Sequence, residues 1–149
     1  MTSRLNRNLV VVADVMTRDV ETLRRNDKLS IADDVMKQKR IRHLPVLDED
    51  GRLAGIVSQR DLFHSALVRA LGYGASQQQK LLSLLVVKEV MGTEVVTTTP
   101  ETPLEDAART MVDRKLGCLP VVSGDRLVGI LTEGDFVAFA ARGDPALRE

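Results

Sequence analysis

Two short stretches place a glycine, a hydroxyl and a carboxylate in a spacing that suits contact with a phosphorylated nucleoside. They are Gly55-Ile56-Val57-Ser58-Gln59-Arg60-Asp61 and Gly129-Ile130-Leu131-Thr132-Glu133-Gly134-Asp135. A glycine has no Cβ, so backbone or ligand can approach closely. Ser58 and Thr132 stand where an apolar run gives way to a helix start. The free N–H groups and the dipole of a helix N-terminus favour an anion such as phosphate there, and the hydroxyl adds a donor. Asp61 and Asp135 follow about one helical turn on. A carboxylate at that place can accept from two vicinal ribose hydroxyls, and the flanking apolar strands could sandwich a purine. The same spacing is also a helix N-terminal signature close to a capping box, in which the hydroxyl and the carboxylate merely satisfy backbone donors. The motif alone leaves both readings open.

Other chemistries find less support. The chain has two histidines and one cysteine, without metal-type spacing, so no metal site is expected. His43 reads as a strand-edge packing or hydrogen-bonding residue rather than a catalyst, His64 has no nearby ligand set, and Cys118 reads as a buried small hydrophobe. A Cys–His pair would need Cys118 near His43 or His64, and nothing in the spacing supports it. Met16, Met36, Met91 and Met111 read as core. Arg40, Arg42 and Arg60 are able to reach phosphates, or are solvated surface.

The bulk composition narrows the classes further. Of 149 residues, 44% are hydrophobic but only 3% aromatic, so the core must be aliphatic. Twenty-one basic residues balance 21 acidic ones. That balance argues against a nucleic acid or an anionic membrane surface as partner, since both need a basic footprint. A single cysteine excludes an intramolecular disulfide. Residues Met1 to Val12 lack the long apolar core of a signal peptide, and no apolar stretch approaches a membrane span. A soluble, cytoplasmic protein is expected.

The elements that must position these residues occur twice. Val12-Ala13-Asp14-Val15-Met16 aligns with Val87-Lys88-Glu89-Val90-Met91 at an offset of 75 residues. The same offset pairs Thr22 with Thr97, Leu29 with Leu104, Ala32 with Ala107 and Met36 with Met111. It also pairs Leu44-Pro45-Val46 with Leu119-Pro120-Val121. After a one-residue deletion, Gly55-Ile56 meets Gly129-Ile130, Ser58 meets Thr132 and Asp61 meets Asp135. Each copy reads as a short β segment (Val20–Thr22, Val95–Thr97), a helix, a hairpin and a second helix: β-α-β-β-α. Thr102-Pro103-Leu104-Glu105 reads as a capping box with proline at the first helical position, and Asp27 takes the N-cap place in the first copy. Phe63 to Leu71 reads as a helix extension, Gly72 to Ser76 as a break, and Gln77 to Val86 as a second helix.

With Asp14-Val15-Met16-Thr17, His43-Leu44-Pro45-Val46 and Gly55 to Asp61 in one ordered copy, and Glu89-Val90-Met91, Cys118-Leu119-Pro120-Val121 and Gly129 to Asp135 in another, the chain resembles the CBS domain family from about Val12 to Ala140. The resemblance implies a mixed α+β (α/β) fold of two pseudo-twofold-related CBS repeats packed as one stand-alone pair. The boundaries are 8–71 and 87–142 for the repeats, 72–86 for a helical linker and 143–149 for a frayed tail. It implies a non-catalytic regulatory module that binds AMP, ADP, ATP or S-adenosylmethionine in clefts between the repeats, with no covalent cofactor. The implied ligand set is Thr22, His43, Pro45, Gly55, Ser58, Arg60 and Asp61 in the first repeat. In the second it is Thr97, Cys118, Pro120, Gly129, Thr132 and Asp135. Thr22 and Thr97 equally suit strands through β propensity. A homodimer and a separate effector protein acting in trans are the expected partners; a constitutive dimerisation module with empty clefts is the alternative. The two clefts should be unequal, because Arg60 beside Asp61 is replaced by Gly134, next to Glu133, in the second copy.

Overall fold

The computed structural model describes residues 9–69, 80 and 82–142. The expected break at Gly72 to Ser76, the residues beyond Arg69 of the first helix extension, Gln77 to Gln79 and Leu81 of the next helix, and the tail from Gly143 lie outside them. The described elements are α1 (Val12–Val15), β1 (Leu23–Arg24), α2 (Leu29–Lys39), β2 (His43–Leu47), β3 (Leu53–Ser58), α3 (Gln59–Arg69), a 3-10 turn (Val87–Glu89), α4 (Leu104–Arg114), β4 (Cys118–Ser123), β5 (Arg126–Thr132) and α5 (Glu133–Arg142). No described helix is long and apolar enough to cross a membrane.

The chain divides into two compact units, and these do not follow the sequence repeats. One joins residues 1–20 to 96–149; the other is 21–95. Each repeat's opening segment therefore belongs to the core built by the other repeat. Val12, Val15 and Met16 pack with Leu104, Ala107, Met111, Leu119, Val121 and Leu131. Val87 packs with Leu29, Ala32, Met36, Leu44, Val46 and Val57, against which Val90 and Met91 also lie. The stripe of every third or fourth residue on α2 and α4 is buried as helical periodicity requires.

The opening segments are held by the same backbone bonds in both units. Val12 N–H donates to the Thr102 carbonyl and Ala13 N–H to that of Pro100, both at 2.9 Å. Val87 N–H donates to Asp27 and Lys88 N–H to Arg25, at 2.8 and 2.9 Å. In return the first amides of α4 and α2 donate to these segments: Leu104 N–H to Val10 at 2.9 Å, and Leu29 N–H to Leu85 at 2.8 Å. These bonds satisfy orphan donors at the helix starts, and they correct the expected side-chain caps. The N-caps are Pro103 and Lys28, without a side-chain cap. The Thr102 hydroxyl instead lies 2.7 Å from that of Thr99, and the Asp27 carboxylate accepts from the Arg24 amide.

The short β segments also fall later than expected. β1 pairs in parallel with β2 through Leu23 and Val46, and Thr98 makes the matching parallel bridge to Val121. Leu23 and Thr98 point inward where Thr22 and Thr97 are exposed, so burial rather than β propensity sets the pairing residue. The unit of residues 21–95 thus carries a three-stranded sheet, β1-β2-β3, and the other a two-stranded sheet, β4-β5.

Candidate functional site

The hairpins bring most of the candidate residues together by register. In β2–β3, His43 lies opposite Ser58, Pro45 opposite Ile56 and Val46 opposite Gly55. In β4–β5, Cys118 lies opposite Thr132, Pro120 opposite Ile130 and Val121 opposite Gly129. Thr22 and Thr97 immediately precede the residues that pair with Val46 and Val121. Each candidate set thus lies within one unit, around the corner where the second hairpin strand passes into a helix. Pro45 and Pro120 are fully buried, His43, Ser58, Asp61, Thr132 and Asp135 are half-buried, and Thr22, Thr97 and Arg60 are exposed.

The hydroxyl and the carboxylate at each corner hold one another. Ser58 N–H donates to Asp61 Oδ2 at 2.9 Å, and Asp61 N–H donates to Ser58 Oγ at 3.0 Å. Thr132 N–H donates to Asp135 Oδ2 at 2.8 Å, and Asp135 N–H to Thr132 Oγ1 at 3.3 Å. This reciprocal pair is the arrangement of a capping box. It fixes each carboxylate at a helix start and uses only one of its two oxygens.

The glycines serve the chain's own backbone. A Cβ on Gly55 would lie 2.7 Å from the Gly92 carbonyl oxygen and 2.7 Å from Met91 Sδ. On Gly129 it would lie 2.7 Å from Met16 Sδ and 2.9 Å from the Thr17 carbonyl oxygen. These contacts are made by the opening segments, which pair with β3 and β5 as antiparallel bridges, Ile56 with Gly92 and Ile130 with Thr17. Cys118 is buried, and burial pushes its thiol pKa up to about 12, which keeps it protonated and unreactive. Among the described residues, no cluster of three or more His, Cys, Asp or Glu is able to hold a metal ion.

One residue at these corners carries a contact that sequence reasoning did not assign. Thr17 Oγ1 donates to Asp135 Oδ1 at 2.8 Å, so both oxygens of that carboxylate are engaged. Its repeat counterpart is Gly92, and among the described residues Asp61 bonds only to Ser58. The unlike pair Thr17 and Gly92, inside otherwise matched segments, was the available signal.

The duplicated β-α-β-β-α order, the exchanged opening segments and the two hairpin-to-helix corners define a tandem-repeat module. The CBS domain family profile matches twice, over residues 12–67 and 87–142. The chain belongs to the CBS domain family. It is 36% identical over 124 residues to the CBS domain-containing protein YhcV of Bacillus subtilis, spanning 83% of this chain and 81% of that protein. The solved structure of CBSX2 in complex with AMP is 32% identical, with a TM-score of 0.73 and coverage of 89% of this chain and 96% of the other. The CBS domain pair of protein MJ0100, in complex with 5′-methylthioadenosine and S-adenosyl-L-methionine, is 26% identical, with a TM-score of 0.72 and coverage of 91% and 99%. Some curated relatives are much longer: the chain spans 23% of a homoserine O-acetyltransferase from Methanohalobium evestigatum and 13% of an A-adding tRNA nucleotidyltransferase from Geobacter sulfurreducens.

Proposed function

We propose that the chain is a non-catalytic, ligand-sensing module of the cytoplasm that takes an adenosine-type nucleotide (AMP, ADP, ATP or S-adenosylmethionine) and signals its presence to a separate effector protein. The observation that carries this reading is the Asp61 carboxylate. One oxygen is fixed by the Ser58 amide, and the other makes no bond among the described residues. Similar structures carry AMP, or methylthioadenosine and S-adenosylmethionine. In this reading Asp61 accepts from the ribose hydroxyls, and the Ser58 hydroxyl and the start of α3 meet phosphate. Arg60, Thr22 and His43 flank the ligand, and buried Pro45 and Gly55 shape the hairpin beneath it. Thr97, Cys118, Pro120, Gly129, Thr132 and Asp135 form the matching set of the second repeat. Arg60 makes the first corner the better one for highly phosphorylated ligands, because charge-assisted bonds to phosphate are the stronger kind.

The output is a difference in affinity between conformations, which the partner reads. A homodimer is part of the proposal. Phe63 and Val137, at matched positions on α3 and α5, are 67% and 70% exposed, and pairing of two copies would cover such apolar surface. A second reading, a constitutive dimerisation module without nucleotide, is favoured by the reciprocal bonds at Ser58 and Thr132, which already give both motifs a structural role.

Titration calorimetry with AMP and 2′-deoxy-AMP separates the two. Losing one hydroxyl bond to a partly desolvated carboxylate costs about 1–3 kcal/mol, a factor of about five to 150 in affinity. Asp61→Ala is expected to weaken AMP by a similar factor and to erase the ribose preference. Undiminished preference in Asp61→Ala would sink the assignment, and no binding of any adenosine nucleotide would leave the dimerisation module.

A further inference from the structure

We infer that Thr17 acts as an internal stand-in for ribose at the second corner, so that the chain binds nucleotide at Asp61 and keeps the Asp135 corner closed. This rests on the ligand-binding reading above and names which of the two corners is used. Asp135 Oδ2 accepts from the amide and the hydroxyl of Thr132 at 2.8 and 3.2 Å, and Oδ1 accepts from Thr17 Oγ1 at 2.8 Å. An ionised carboxylate is acceptor-only, and here both oxygens already have a donor. A vicinal diol needs the outer oxygen, where the Thr17 hydroxyl already takes one of the acceptor sites and competes with it.

The Thr17 backbone is held in place beside the carboxylate. Its amide donates to the Ile130 carbonyl, and its carbonyl accepts from the Ile130 amide, both at 2.9 Å. Gly92 makes the same two backbone bonds with Ile56, at 2.9 and 3.0 Å. The backbones match, and one side chain is the difference. Glycine at 92 is not required by geometry: a Cβ there would meet nothing closer than the Ile56 carbonyl oxygen at 3.9 Å, and its φ is not positive.

The charges around the corners follow the same division. Gln59 N–H donates to the Arg42 carbonyl and Glu133 N–H donates to that of Gly117, at 2.8 and 3.3 Å, which makes Arg42 and Gly117 counterparts. Arg42 and Arg60 therefore bring two cations to the open corner. The closed one has Gly117 and Gly134 in their places, and Glu133 where the open one has Gln59. These two cations favour an anionic ligand at the first; at the second Glu133 works against one, and Arg18, next to Thr17, donates to the Ala13 carbonyl at 3.1 Å.

Calorimetry of the full chain with AMP reads the number of sites. The wild type should bind one AMP per chain. Thr17→Val removes the hydroxyl and should allow a second AMP to bind. Gly92→Thr installs the hydroxyl beside Asp61 and should weaken the first site by on the order of tenfold or more, the equivalent of one charge-assisted hydrogen bond to be displaced. Circular dichroism melts confirm that each variant is folded. Two equivalent AMP sites in the wild type overturn the inference while leaving nucleotide binding intact. So does a Thr17→Val protein that still binds one AMP together with a Gly92→Thr protein of undiminished affinity. Absence of AMP binding in all three proteins is the failure of the ligand-binding reading itself.

Discussion

The two hairpin-to-helix corners share a backbone and differ in what surrounds their carboxylates. Asp61 and Asp135 are fixed by the same reciprocal bonds to Ser58 and Thr132. Around the first stand Gly92, Arg42 and Arg60; around the second, Thr17, Gly117 and Gly134. Duplication preserved the buried helix stripes and the close-contact glycines, while the polar residues neighbouring the carboxylates diverged. The shared motif is a structural device in both units, and the proposed preference for one corner rests on its neighbours.

The largest test of that view is at the glycines. Gly55→Ala and Gly129→Ala each force a Cβ to within 2.7 Å of a neighbouring atom, and overpacking of this kind costs about 1–3 kcal/mol. Gly55→Ala should cost more, because its clash includes a backbone carbonyl at 2.7 Å, whereas at Gly129 the nearest atom belongs to the side chain of Met16. Urea denaturation of both variants gives the order; equal, near-zero losses would mean that the opening segments shift aside cheaply.

A smaller difference should separate the carboxylates without any ligand. Asp135→Ala removes the bond to Thr17 as well as the cap, so it should destabilise by about 1 kcal/mol more than Asp61→Ala, the worth of one further hydrogen bond. Thermal melts check this, and the excess should vanish when Thr17 is already valine.

The smallest effect concerns a feature the units share. Arg40 and Lys115 end α2 and α4 in the left-handed region, both at φ 55°, a conformation that costs a non-glycine residue about 1 kcal/mol. Arg40→Gly and Lys115→Gly should each stabilise by about 0.5 kcal/mol once the greater entropy of the unfolded glycine chain is subtracted. A rise of one and a fall of the other in melting temperature would show that the two C-caps are not equivalent.

The repeat, the hairpins and the buried stripes Leu29, Ala32, Met36 and Leu104, Ala107, Met111 were legible in the sequence, because periodicity reports directly which side of an element is buried. The exchange of opening segments was not. Val12 and Val87 look alike, and nothing local tells which of two similar cores an apolar segment will join. The side-chain caps expected at Thr102 and Asp27 do not form for a related reason: the first amides of the two helices are met by carbonyls of Val10 and Leu85, remote in sequence. Thr17 escaped notice because its role depends on a carboxylate far along the chain, brought near by that same exchange.

The exchange also bears on how such a chain is made. The unit of residues 21–95 is contiguous and can close as soon as Val95 has left the ribosome. The other must keep Val12, Val15 and Met16 waiting until Leu131 is synthesised. Its long-range closure makes it the later and slower of the two to fold. A polypeptide carrying a single repeat would lack a segment for its own core and could complete it only by trading segments with a second copy, in the manner of domain swapping. Fusing two such copies in one chain turns an association that depends on concentration into one that does not.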